Sequence, residues 1–416
     1  MIRMCALLPN DRTRLLNLID QWAGQGLRVL ALAYRAGGMI SDHSNYTLAG
    51  LVGMEDPVRE GVDDAIRLSR RAGIHVKMIT GDYRKTAEFI ASKIGLMQPG
   101  DESLEGSELT DMSDDTLTKM VRQISVFSRI RPQDKFRVIK ALQSSSEITA
   151  MIGDGVNDAP ALQRANIGVV VGTATDVAKE NADLILMDNN FKTIVAAIEE
   201  GRIIFQNIQK VVAYTLSNSF AEVLAIFLAM ILGWPTPLVV SQILWIHLIC
   251  DGPSDIVLGF EPKEDRIMDE KPKPLSEPIL NRLGLSLIGV ISISSALVAL
   301  FLFNHLYQVH GDINEARSIV FASFGLNSMV YIFAYRSLRR SIFKTAPLSS
   351  NLPLVWSVMG GIGMVILPFL IPGLGKILSI APLHPDDWLI VVGFAFLLLI
   401  VVEISKWAFN RRQSVH

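Results

Sequence analysis

Hydrophobic and polar positions follow two different patterns along this chain of 416 residues. As far as about residue 201, short apolar runs alternate with charged stretches, the pattern of a globular domain. From residue 203 onward, six long apolar runs each reach the roughly 20 residues that cross a hydrocarbon core of about 30 Å. Six such runs in succession argue against the alternative, buried helices of a soluble protein. The predicted membrane spans lie near 208–232, 238–260, 280–304, 316–335, 352–371 and 387–409.

The first 47 residues predict a helix followed by a strand. Amphipathic spacing favours a helix over 11–25. In 26–34, Leu27, Val29 and Ala31 alternate with the residues between them, the period of two that is typical of a strand. This segment shows no closure of its own, so we expect it to be the tail of a domain that begins upstream.

Residues 48–202 alternate between short apolar runs and helical stretches. Repeated strand-helix units predict a parallel sheet with helices on both faces. In such folds, functional sites lie at the carboxyl ends of the strands. The expected strands lie at 74–79, 126–127, 148–152, 167–171 and 184–186, and the expected helices at 84–94, 133–142, 159–165 and 192–200. The expected fold is an α/β Rossmann-like cytoplasmic domain followed by an all-α six-helix transmembrane domain, with boundaries at 1–47, 48–202 and 203–416.

Composition and charge exclude some classes of partner. The chain has 39 Lys and Arg against 41 Asp and Glu, and no basic stripe, so we expect no nucleic-acid partner. The two cysteines, Cys5 and Cys250, provide neither a disulfide framework nor a zinc pattern, which suits a reducing cytosol.

Positive charge is concentrated in the loops on one side of the predicted spans. The positive-inside rule therefore places the α/β half and both termini in the cytoplasm of a multi-pass protein of the plasma membrane. Opposite loops hold little beyond Arg317 and Lys376. The loops on the expected cytoplasmic side contain Lys263, Arg266, Lys271, Lys273, Arg282, Arg336, Arg339, Arg340, Lys344, Lys406, Arg411 and Arg412.

Two polar motifs at predicted strand ends are suited to binding a phosphate. Thr80, Gly81 and Asp82 combine a hydroxyl and a flexible glycine ahead of a helix N-terminus, although an ordinary N-capping turn is an alternative. Lys135 lies in the first turn of a helix, where a cation is unfavourable for the helix dipole. Either Asp134 or a bound phosphoryl group would compensate the positive charge of Lys135.

A third motif, Gly-Asp-Gly-Val-Asn-Asp-Ala-Pro over residues 153–160, follows the next predicted strand. It places two carboxylates and an amide in a turn that glycines loosen. Mg²⁺ binds to such loops through one or two carboxylates together with water and substrate phosphate. This motif is far more specific than the first two.

Ionisable residues inside the predicted spans indicate a cation site. A carboxylate at mid-bilayer costs roughly 2.5–3.5 kcal/mol, so Glu222 and Asp251 are expected to be functional. Asn218 shares a helix face with Glu222, and His247 shares one with Asp251. Gly252 and Pro253 should then break the helix and free carbonyl ligands. The alternatives are an interhelical ion-pair lock and a soft-metal site of His247 with Cys250. The candidate cation-site residues are Asn218, Ser219, Glu222, His247 and Asp251.

Residues 152–162, Ile-Gly-Asp-Gly-Val-Asn-Asp-Ala-Pro-Ala-Leu, resemble the hinge and magnesium signature of the P-type cation-transporting ATPases. The resemblance covers essentially the whole chain and is closest to the calcium-pump-like branch. It implies a haloacid-dehalogenase-like fold for the phosphorylation domain, 48–202, which lacks its first strand and its nucleophilic aspartate and follows the tail of a nucleotide-binding domain. It also implies ATP and Mg²⁺ as cofactors.

The resemblance assigns a role to each motif residue. Asp154 would hold Mg²⁺, with Asn157 and Asp158 completing that site and supporting the phosphorylation site. Thr80 would contact the phosphoryl group, and Lys135 would neutralise it. The residues that would border the nucleotide are Arg28, Asp82 and Arg129.

The resemblance also limits the identity of the cation. Calcium pumps carry Asn and Glu on the first of these spans and Asn, Thr and Asp on the second. Glu222 and Asp251 match, whereas Ser219, His247 and Cys250 stand at three of the other positions, and Phe321 stands where the fourth span usually has an acid. One site for Ca²⁺, Mg²⁺, Na⁺ or H⁺ is therefore as defensible as two calcium sites.

One element of the family pattern is absent from the sequence. The family uses the aspartate of an Asp-Lys-Thr-Gly motif as its covalent nucleophile, and the one Asp-Lys pair here, Asp134-Lys135, is followed by Phe136. We therefore expect the C-terminal half of a cation pump, inactive alone, with a separate chain as the possible source of the N-terminal half. The alternatives are a non-catalytic membrane remnant or regulator that binds Mg²⁺ or cations and, less favoured, a phosphatase-like hydrolase.

Overall fold

The computed structural model describes residues 2–35, 37, 45–55, 57–188, 190–274 and 276–413. They form two units. The first is an α/β unit of 1–199 with 268–275, and the second is a helical unit of 200–267 with 276–416. The boundary falls inside one long helix, Phe191–Ile231. The expected fold class, an α/β domain followed by membrane-type helices, is confirmed.

The α/β unit contains eight strands and eight complete helices among its described residues. The strands are β1 Arg28–Tyr34, β2 Thr47–Met54, β3 Met78–Ile79, β4 Glu102–Glu105, β5 Ile124–Ser128, β6 Ala150–Gly153, β7 Ile167–Val171 and β8 Leu184–Leu186. The helices are α1 Pro9–Gly24, α2 Val62–Arg71, α3 Arg84–Lys93, α4 Gly106–Asp111, α5 Asp114–Met120, α6 Pro132–Ser144, α7 Ala159–Arg164 and α8 Asp176–Glu180.

The strands form three small sheets. β1 and β2 pair antiparallel, with Arg28 opposite Met54. The other six form two parallel sheets of three strands, in the orders β3-β5-β4 and β6-β7-β8. The sequence predicted the type of pairing, but it did not predict that the parallel strands are divided into two sheets.

Most predicted elements of this unit lie where expected. The strands at 167–171 and 184–186 are confirmed residue for residue. The strand expected at 74–79 is reduced to Met78–Ile79, which, in the part of the chain that the structure describes, pairs on one side. Strand Glu102–Glu105 was not predicted, because it is short and half of its residues are charged. The predicted boundary at residue 47 falls at the start of β2, and the domain limits remain predictions.

The helical unit contains both long and short α-helices. They are α9 Phe191–Ile231, α10 Val240–Trp245, α11 Gly252–Leu258, α12 Arg282–His310, α13 Ile313–Tyr335, α14 Leu352–Leu370, α15 Pro372–Leu378 and α16 Pro385–Gln413. Five described helical segments meet the length and hydropathy of a membrane span: 191–231, 282–310, 313–335, 348–370 and 385–411.

The second predicted span, 238–260, is present as three consecutive pieces rather than one long helix. A π-helical turn, Ile246–Asp251, separates α10 from α11. Pro253 lies in the first turn of α11, where its missing N–H is tolerated. The chain nevertheless stays helical through Gly252 and Pro253, from Val240 to Leu258, so the helix break expected at these two residues is wrong, and the irregularity is the π-helical turn that precedes them.

The outer surface of the helical unit is apolar. Helix α9 alone exposes Phe220, Val223, Phe227 and Met230, each with more than half of its surface accessible. Two apolar clusters fill the interior, where α13 is almost wholly buried. Exposed apolar helix faces of this extent indicate contact with lipid.

Candidate functional site

The Thr80-Gly81-Asp82 turn is locked by its own hydrogen bonds at the carboxyl end of β3. The Thr80 hydroxyl donates to Asp82 Oδ2 at 3.0 Å, and the Asp82 amide donates to Thr80 Oγ1 at 3.1 Å. Helix α3 begins at Arg84, after Tyr83, with no side-chain cap. The N-capping alternative is therefore wrong, and the turn presents a hydroxyl and a carboxylate beside the sheet.

Lys135 is paired with an acid that the sequence did not point to. Its Nζ lies 2.6 Å from Asp158 Oδ1, and 19% of the Lys135 side chain is exposed against 9% for Asp158. Asp134 does not compensate Lys135, because its carboxylate accepts from the backbone amide and Nε of Arg131. The cation in the first turn of α6 is thus neutralised by the glycine-rich loop after β6.

The two carboxylates of that loop, residues 153–158, differ in burial. Asp158 is buried, and its Oδ2 accepts from the Asp154 amide at 3.4 Å. The side chains of Asp154 and Asn157 are exposed. A Cβ on Gly153 would lie 2.6 Å from Asp158 Cβ, so glycine is required for the close approach of the loop to itself.

The three residues proposed to border the nucleotide come together at the carboxyl end of β3. Arg28 Nε lies 3.9 Å from Asp82 Oδ1, and the Arg129 amide donates to the Asp82 carbonyl at 3.1 Å. The Arg129 guanidinium lies 4.9 Å from the centre of the Tyr83 ring. Arg129 has a φ of 49°, which lies in the left-handed region. Two strongly basic side chains and an aromatic ring therefore surround the Thr80 turn.

A contact that the sequence gave no signal for attaches α1 to the start of α3. Asp20 accepts from the Tyr83 hydroxyl at 2.8 Å and from Lys85 Nζ at 2.7 Å. Hydrogen bonds from Lys85 and Tyr83 lower the pKa of Asp20 below its usual range. The bond to Asp20 raises the pKa of Tyr83, with burial acting in the same direction. This contact holds Arg28 near Asp82, because β1 follows α1 directly.

The donor set of the 153–158 loop fits Mg²⁺ in part. Asp154 and Asn157 present exposed oxygen atoms, whereas both oxygens of Asp158 already accept hydrogen bonds. In the described part of the chain, no three His, Cys, Asp or Glu side chains are grouped as metal ligands. Mg²⁺ commonly completes its shell with water and substrate phosphate, so Asp154 with Asn157 suffices as the protein share.

In the helical unit, Asp251 is held by neutral groups from two other helices. The Asn218 amide donates to Asp251 Oδ2 at 3.0 Å, and the Ser328 hydroxyl donates to Oδ1 at 2.7 Å. Only 1% of the Asp251 surface is exposed. The part of the chain that the structure describes places no Lys or Arg within ion-pair distance of this carboxylate. Asp251 is therefore a buried acid without a fixed cationic partner.

The other predicted acid, Glu222, pairs with the predicted histidine. His247 Nε2 lies 3.0 Å from Glu222 Oε2, with 27% and 4% of the two side chains exposed. Ser219 is half-buried, and among the described residues it makes no hydrogen bond to this pair or to Asp251. Four of the five predicted cation-site residues thus form two neighbouring pairs, Asn218 with Asp251 and Glu222 with His247.

The π-helical turn contributes one residue to each of these two pairs. It runs from Ile246 to Asp251 and therefore contains both His247 and Asp251. A π-turn widens the backbone and is frequent at functional sites. The Cys250 carbonyl approaches α14 so closely that a Cβ on Gly361 would lie 3.0 Å from it.

Helix α13 contributes side chains that sequence reasoning missed. Ser328 bonds to Asp251, and Tyr331 donates its hydroxyl to Asn218 Oδ1. Phe321, the position assigned to the family's usual acid, instead packs in the apolar core beside Phe369. Ser328 and Tyr331 are far from Asp251 along the chain, so no local pattern could have indicated them.

Both units match known protein families. Residues 235–408 match the family described as cation transporting ATPase, C-terminus. Residues 12–166 and 136–198 match two families described as haloacid dehalogenase-like hydrolase. The two descriptions agree with the division of the chain into a helical and an α/β unit.

Relatives of known name match nearly the whole chain. A calcium-transporting ATPase 1 of Bacillus cereus is 37% identical over 425 residues, which cover 97% of this chain and 48% of the relative. The calcium-transporting ATPase of Bacillus subtilis is 36% identical, with coverage of 94% and 45%. The human calcium-transporting ATPase type 2C member 1 is 38% identical, with coverage of 94% and 42%. The chain spans about half the length of the curated relatives it matches.

Proposed function

This chain belongs to the P-type cation-transporting ATPases, and from that premise we propose that it is the C-terminal half of an ATP-driven pump for Ca²⁺ or another small cation. Asp251 carries the proposal. It is a buried carboxylate that two neutral donors, Asn218 and Ser328, orient without neutralising it. A buried ionised acid is costly unless a cation compensates it. A transported cation would supply that compensation.

The proposed cation site combines Asp251, Asn218, Glu222 and the backbone of the π-turn. Carboxylate, amide and carbonyl oxygens are the donors that Ca²⁺ and Na⁺ prefer. His247 holds Glu222 in place at 3.0 Å and would give way to an entering cation. The pair of His247 and Cys250 offers too few soft ligands to favour a soft metal, given that no third such side chain joins them in the described residues.

The α/β unit would supply the phosphate chemistry. Lys135, steadied by Asp158, would neutralise the phosphoryl group that the Thr80 hydroxyl contacts, because phosphoryl transfer depends mostly on positioning and charge stabilisation. Mg²⁺ held by Asp154 with Asn157 would supply further neutralisation of that group. Arg28, as a cation at the carboxyl end of β3, would draw the nucleotide to the same edge.

We propose that this polypeptide alone forms no phosphoenzyme. The motif with the acceptor aspartate does not occur in it. A second polypeptide with the N-terminal half would provide that aspartate and the remaining membrane helices. The chain spans about half the length of its relatives, which leaves room for an N-terminal half.

The charge pattern and one loop support a proposed membrane topology. Residues 268–275 belong to the α/β unit, where Asp269 pairs with Arg71. This loop, with Lys271 and Lys273, would therefore lie on the side of the α/β unit, which we place in the cytoplasm. The bilayer of the plasma membrane would surround the helices.

The test is ion-stimulated ATP turnover after co-expression with the N-terminal half of the Bacillus subtilis relative. We expect ³²P incorporation from labelled ATP only with both halves present, and stimulation by one of Ca²⁺, Mg²⁺ or Na⁺. Asp251→Asn and Glu222→Gln should lower the stimulated rate at least 100-fold, whereas Glu315→Gln, at the distant end of α13, should not.

Unchanged turnover in both acid variants would contradict a cation site at Asp251 and Glu222. Absence of phosphoenzyme with both halves present would instead favour the alternative function, a non-catalytic membrane protein that binds cations. Incorporation of ³²P into this chain by itself would refute the proposal that it is inactive alone.

A further inference from the structure

Polar contacts join α9 to the second span at regular intervals. Positions that rise along α9 meet positions that fall along the span, so the two elements run antiparallel. Three successive contacts of this series contain a carboxylate, and the proposed cation site uses two of them. The contacts are Asn207 to the Gly259 carbonyl, Thr215 to Asp255, Asn218 to Asp251, and Glu222 to His247.

Asp255 is the carboxylate of this series that the proposed cation site leaves out. It follows Asp251 by four residues, so the two acids share a face of the helix about 6 Å apart along its axis. The Thr215 hydroxyl donates to Asp255 Oδ2 at 3.2 Å. The other oxygen, Oδ1, is buried and has no hydrogen-bond partner among the described residues. One half of this carboxylate is therefore left unsatisfied.

The charge of Asp255 has no counter-charge inside the helical unit. The part of the chain that the structure describes places no Lys or Arg within ion-pair distance of Asp255, and the acid one turn away is Asp251, which also meets neutral donors. A buried charge is costly unless an opposite charge compensates it, and two like charges on one helix face repel each other. A cation beside Asp255 would relieve both costs.

A second buried oxygen without a hydrogen-bond partner lies in the same region. The Tyr214 side chain, which precedes Thr215 on α9, is wholly buried. Its hydroxyl lies beside Asn218 but makes no hydrogen bond of standard geometry among the residues with described structure. Asp251 and Asp255 both act electrostatically on this hydroxyl. A buried, unpaired hydroxyl near two acids is an oxygen donor that a bound cation would engage.

The alternative is that the contact of Thr215 with Asp255 is an interhelical lock without a ligand. A lock is favourable when it satisfies both partners. Here the Thr215 hydroxyl satisfies one of two carboxylate oxygens and none of the charge, and it keeps lone pairs that accept no hydrogen bond from Asp255. An ionisable group inside a membrane span is expensive and marks a functional position more often than a structural one. The unsatisfied oxygens therefore favour a ligand.

We propose that Asp255, Thr215 and Tyr214 form a second site for a hard cation, one helical turn from Asp251. Carboxylate and hydroxyl oxygens are the ligands that such cations take in proteins. The inference rests on the proposed function, because it adds a second bound ion to the cation site of the pump. Along both helices Asp255 and Thr215 lie on the side of Asp251 and Asn218 that leads to the α/β unit, so a cation from the proposed cytoplasmic side would meet Asp255 first.

The experiment counts the cations that this chain binds in detergent micelles without ATP. Equilibrium dialysis is run with ⁴⁵Ca²⁺ and, separately, with ²²Na⁺, and the two measurements distinguish the ions. We expect two ions per chain in wild type with one of these probes, and one ion in Asp255→Asn. Asp265→Asn removes the same charge from a side chain that is 86% exposed, and it should still bind two ions.

A pair of variants at Thr215 tests the contribution of the hydroxyl. Thr215→Val keeps the shape of the side chain and removes its oxygen, so the affinity for the second ion should fall at least tenfold. Thr215→Ser keeps the hydroxyl and should bind the second ion within threefold of wild type.

Thermal unfolding without Ca²⁺ or Na⁺ separates the cation site from the lock. Asp255→Asn should unfold at or above the wild-type temperature, because it removes an uncompensated charge while its amide oxygen still accepts from Thr215. A lock that depends on the carboxylate predicts a lower unfolding temperature together with an unchanged number of bound ions.

Equal numbers of bound ions in wild type and Asp255→Asn would overturn the second site, as would the absence of any bound ion in wild type. Because dialysis needs no ATP, the two proposals fail separately. One ion in both chains, together with an active pump, would refute the second site alone. Two ions in wild type and one in Asp255→Asn, in a chain that forms no active pump with the N-terminal half, would refute the pump and leave the second site supported.

Discussion

Buried charges in the helical unit and motif residues in the α/β unit are satisfied to different degrees. In the helical unit Arg336, 2% exposed, pairs with Glu261, and Lys406, 1% exposed, donates to one backbone carbonyl in the last turn of α13 and to two in the segment that follows it. In the α/β unit Asp154 and Asn157 are exposed, and among the residues with described structure the edge strands β3 and β6, which precede Thr80 and Asp154, each pair with one strand. Arg336 and Lys406 are thus satisfied within the helical unit, whereas Asp251 of the same unit meets only neutral donors and Asp154 and Asn157 of the α/β unit remain exposed.

The largest expected effect concerns the buried ion pair of Arg336 with Glu261 in the helical unit. Arg336→Ala would leave Glu261 buried without its partner, which typically costs about 3–5 kcal/mol. Arg340→Ala removes an ion pair with Asp265, which is 86% exposed, and should cost less than about 1 kcal/mol. Unfolding in detergent micelles compares the two variants. Equal losses would show that the buried network is not what stabilises this unit.

A second prediction concerns Lys135 at the proposed phosphate site. With the N-terminal half present, Lys135→Ala should slow phosphoenzyme formation about 100-fold, or roughly 2.7 kcal/mol, because the half-buried cation that Asp158 positions would be lost. Lys140→Ala changes a half-exposed lysine of the same helix and serves as the control. The initial rate of ³²P incorporation measures both. A Lys135→Ala rate within threefold of wild type would assign the Lys135–Asp158 pair to stability alone.

A third prediction concerns the tight loop after β6. Gly153→Ala should destabilise the α/β unit by about 1–3 kcal/mol, because its Cβ would lie 2.6 Å from Asp158 Cβ. At Gly155 the nearest atom to an added Cβ is 3.9 Å away, and φ is −110°. Gly155→Ala should therefore be neutral or slightly stabilising. Thermal unfolding of the pair checks this, and equal melting temperatures would contradict the close approach.

The smallest expected effect is a pH dependence at the opposite end of β3. Lys77 donates to the Arg122 and Ile124 carbonyls, and burial lowers its pKa from 10.5 to about 8. Between pH 8 and about 10 the unfolded chain binds more protons at this lysine, so the α/β unit should become more stable as the pH rises. Denaturant unfolding at pH 7.5, 8.5 and 9.5 should show this slope in wild type and lose it in Lys77→Met. An identical slope in the variant would assign it to other groups.

The elements of the α/β unit could be predicted because their signals are local. The run Ile-Gly-Val-Val-Val over 167–171 and its flanking turns specify β7 without reference to the rest of the chain. The extent of β3 could not be predicted, since it depends on neighbours, and here it has one. Helix α13 could be located by its hydropathy, but its contacts to Asp251 and Asn218 could not.

In the candidate sites too, the residues with a local sequence signal could be predicted, whereas the contacts set by packing could not. The motif residues Thr80, Lys135 and Asp154 were predicted from short strings, and the structure places Thr80 and Asp154 at strand ends as expected. That Lys135 bonds to Asp158 rather than being compensated by Asp134 depends on the packing of α6 against the loop. Asp20 of α1, which bonds to Tyr83 and Lys85, likewise gave no local signal.

The amino-acid sequence by itself determined the division into an α/β half and a membrane half, the positions of most strands and helices, and the motif residues. Each of these depends on the periodicity of apolar residues or on a string a few residues long. The tertiary structure decided which acid meets Lys135, which hydroxyl meets Asp251, and that the parallel strands form two sheets with open edges. Those contacts join residues far apart in the chain, so they follow from how helices and strands pack and not from any local pattern.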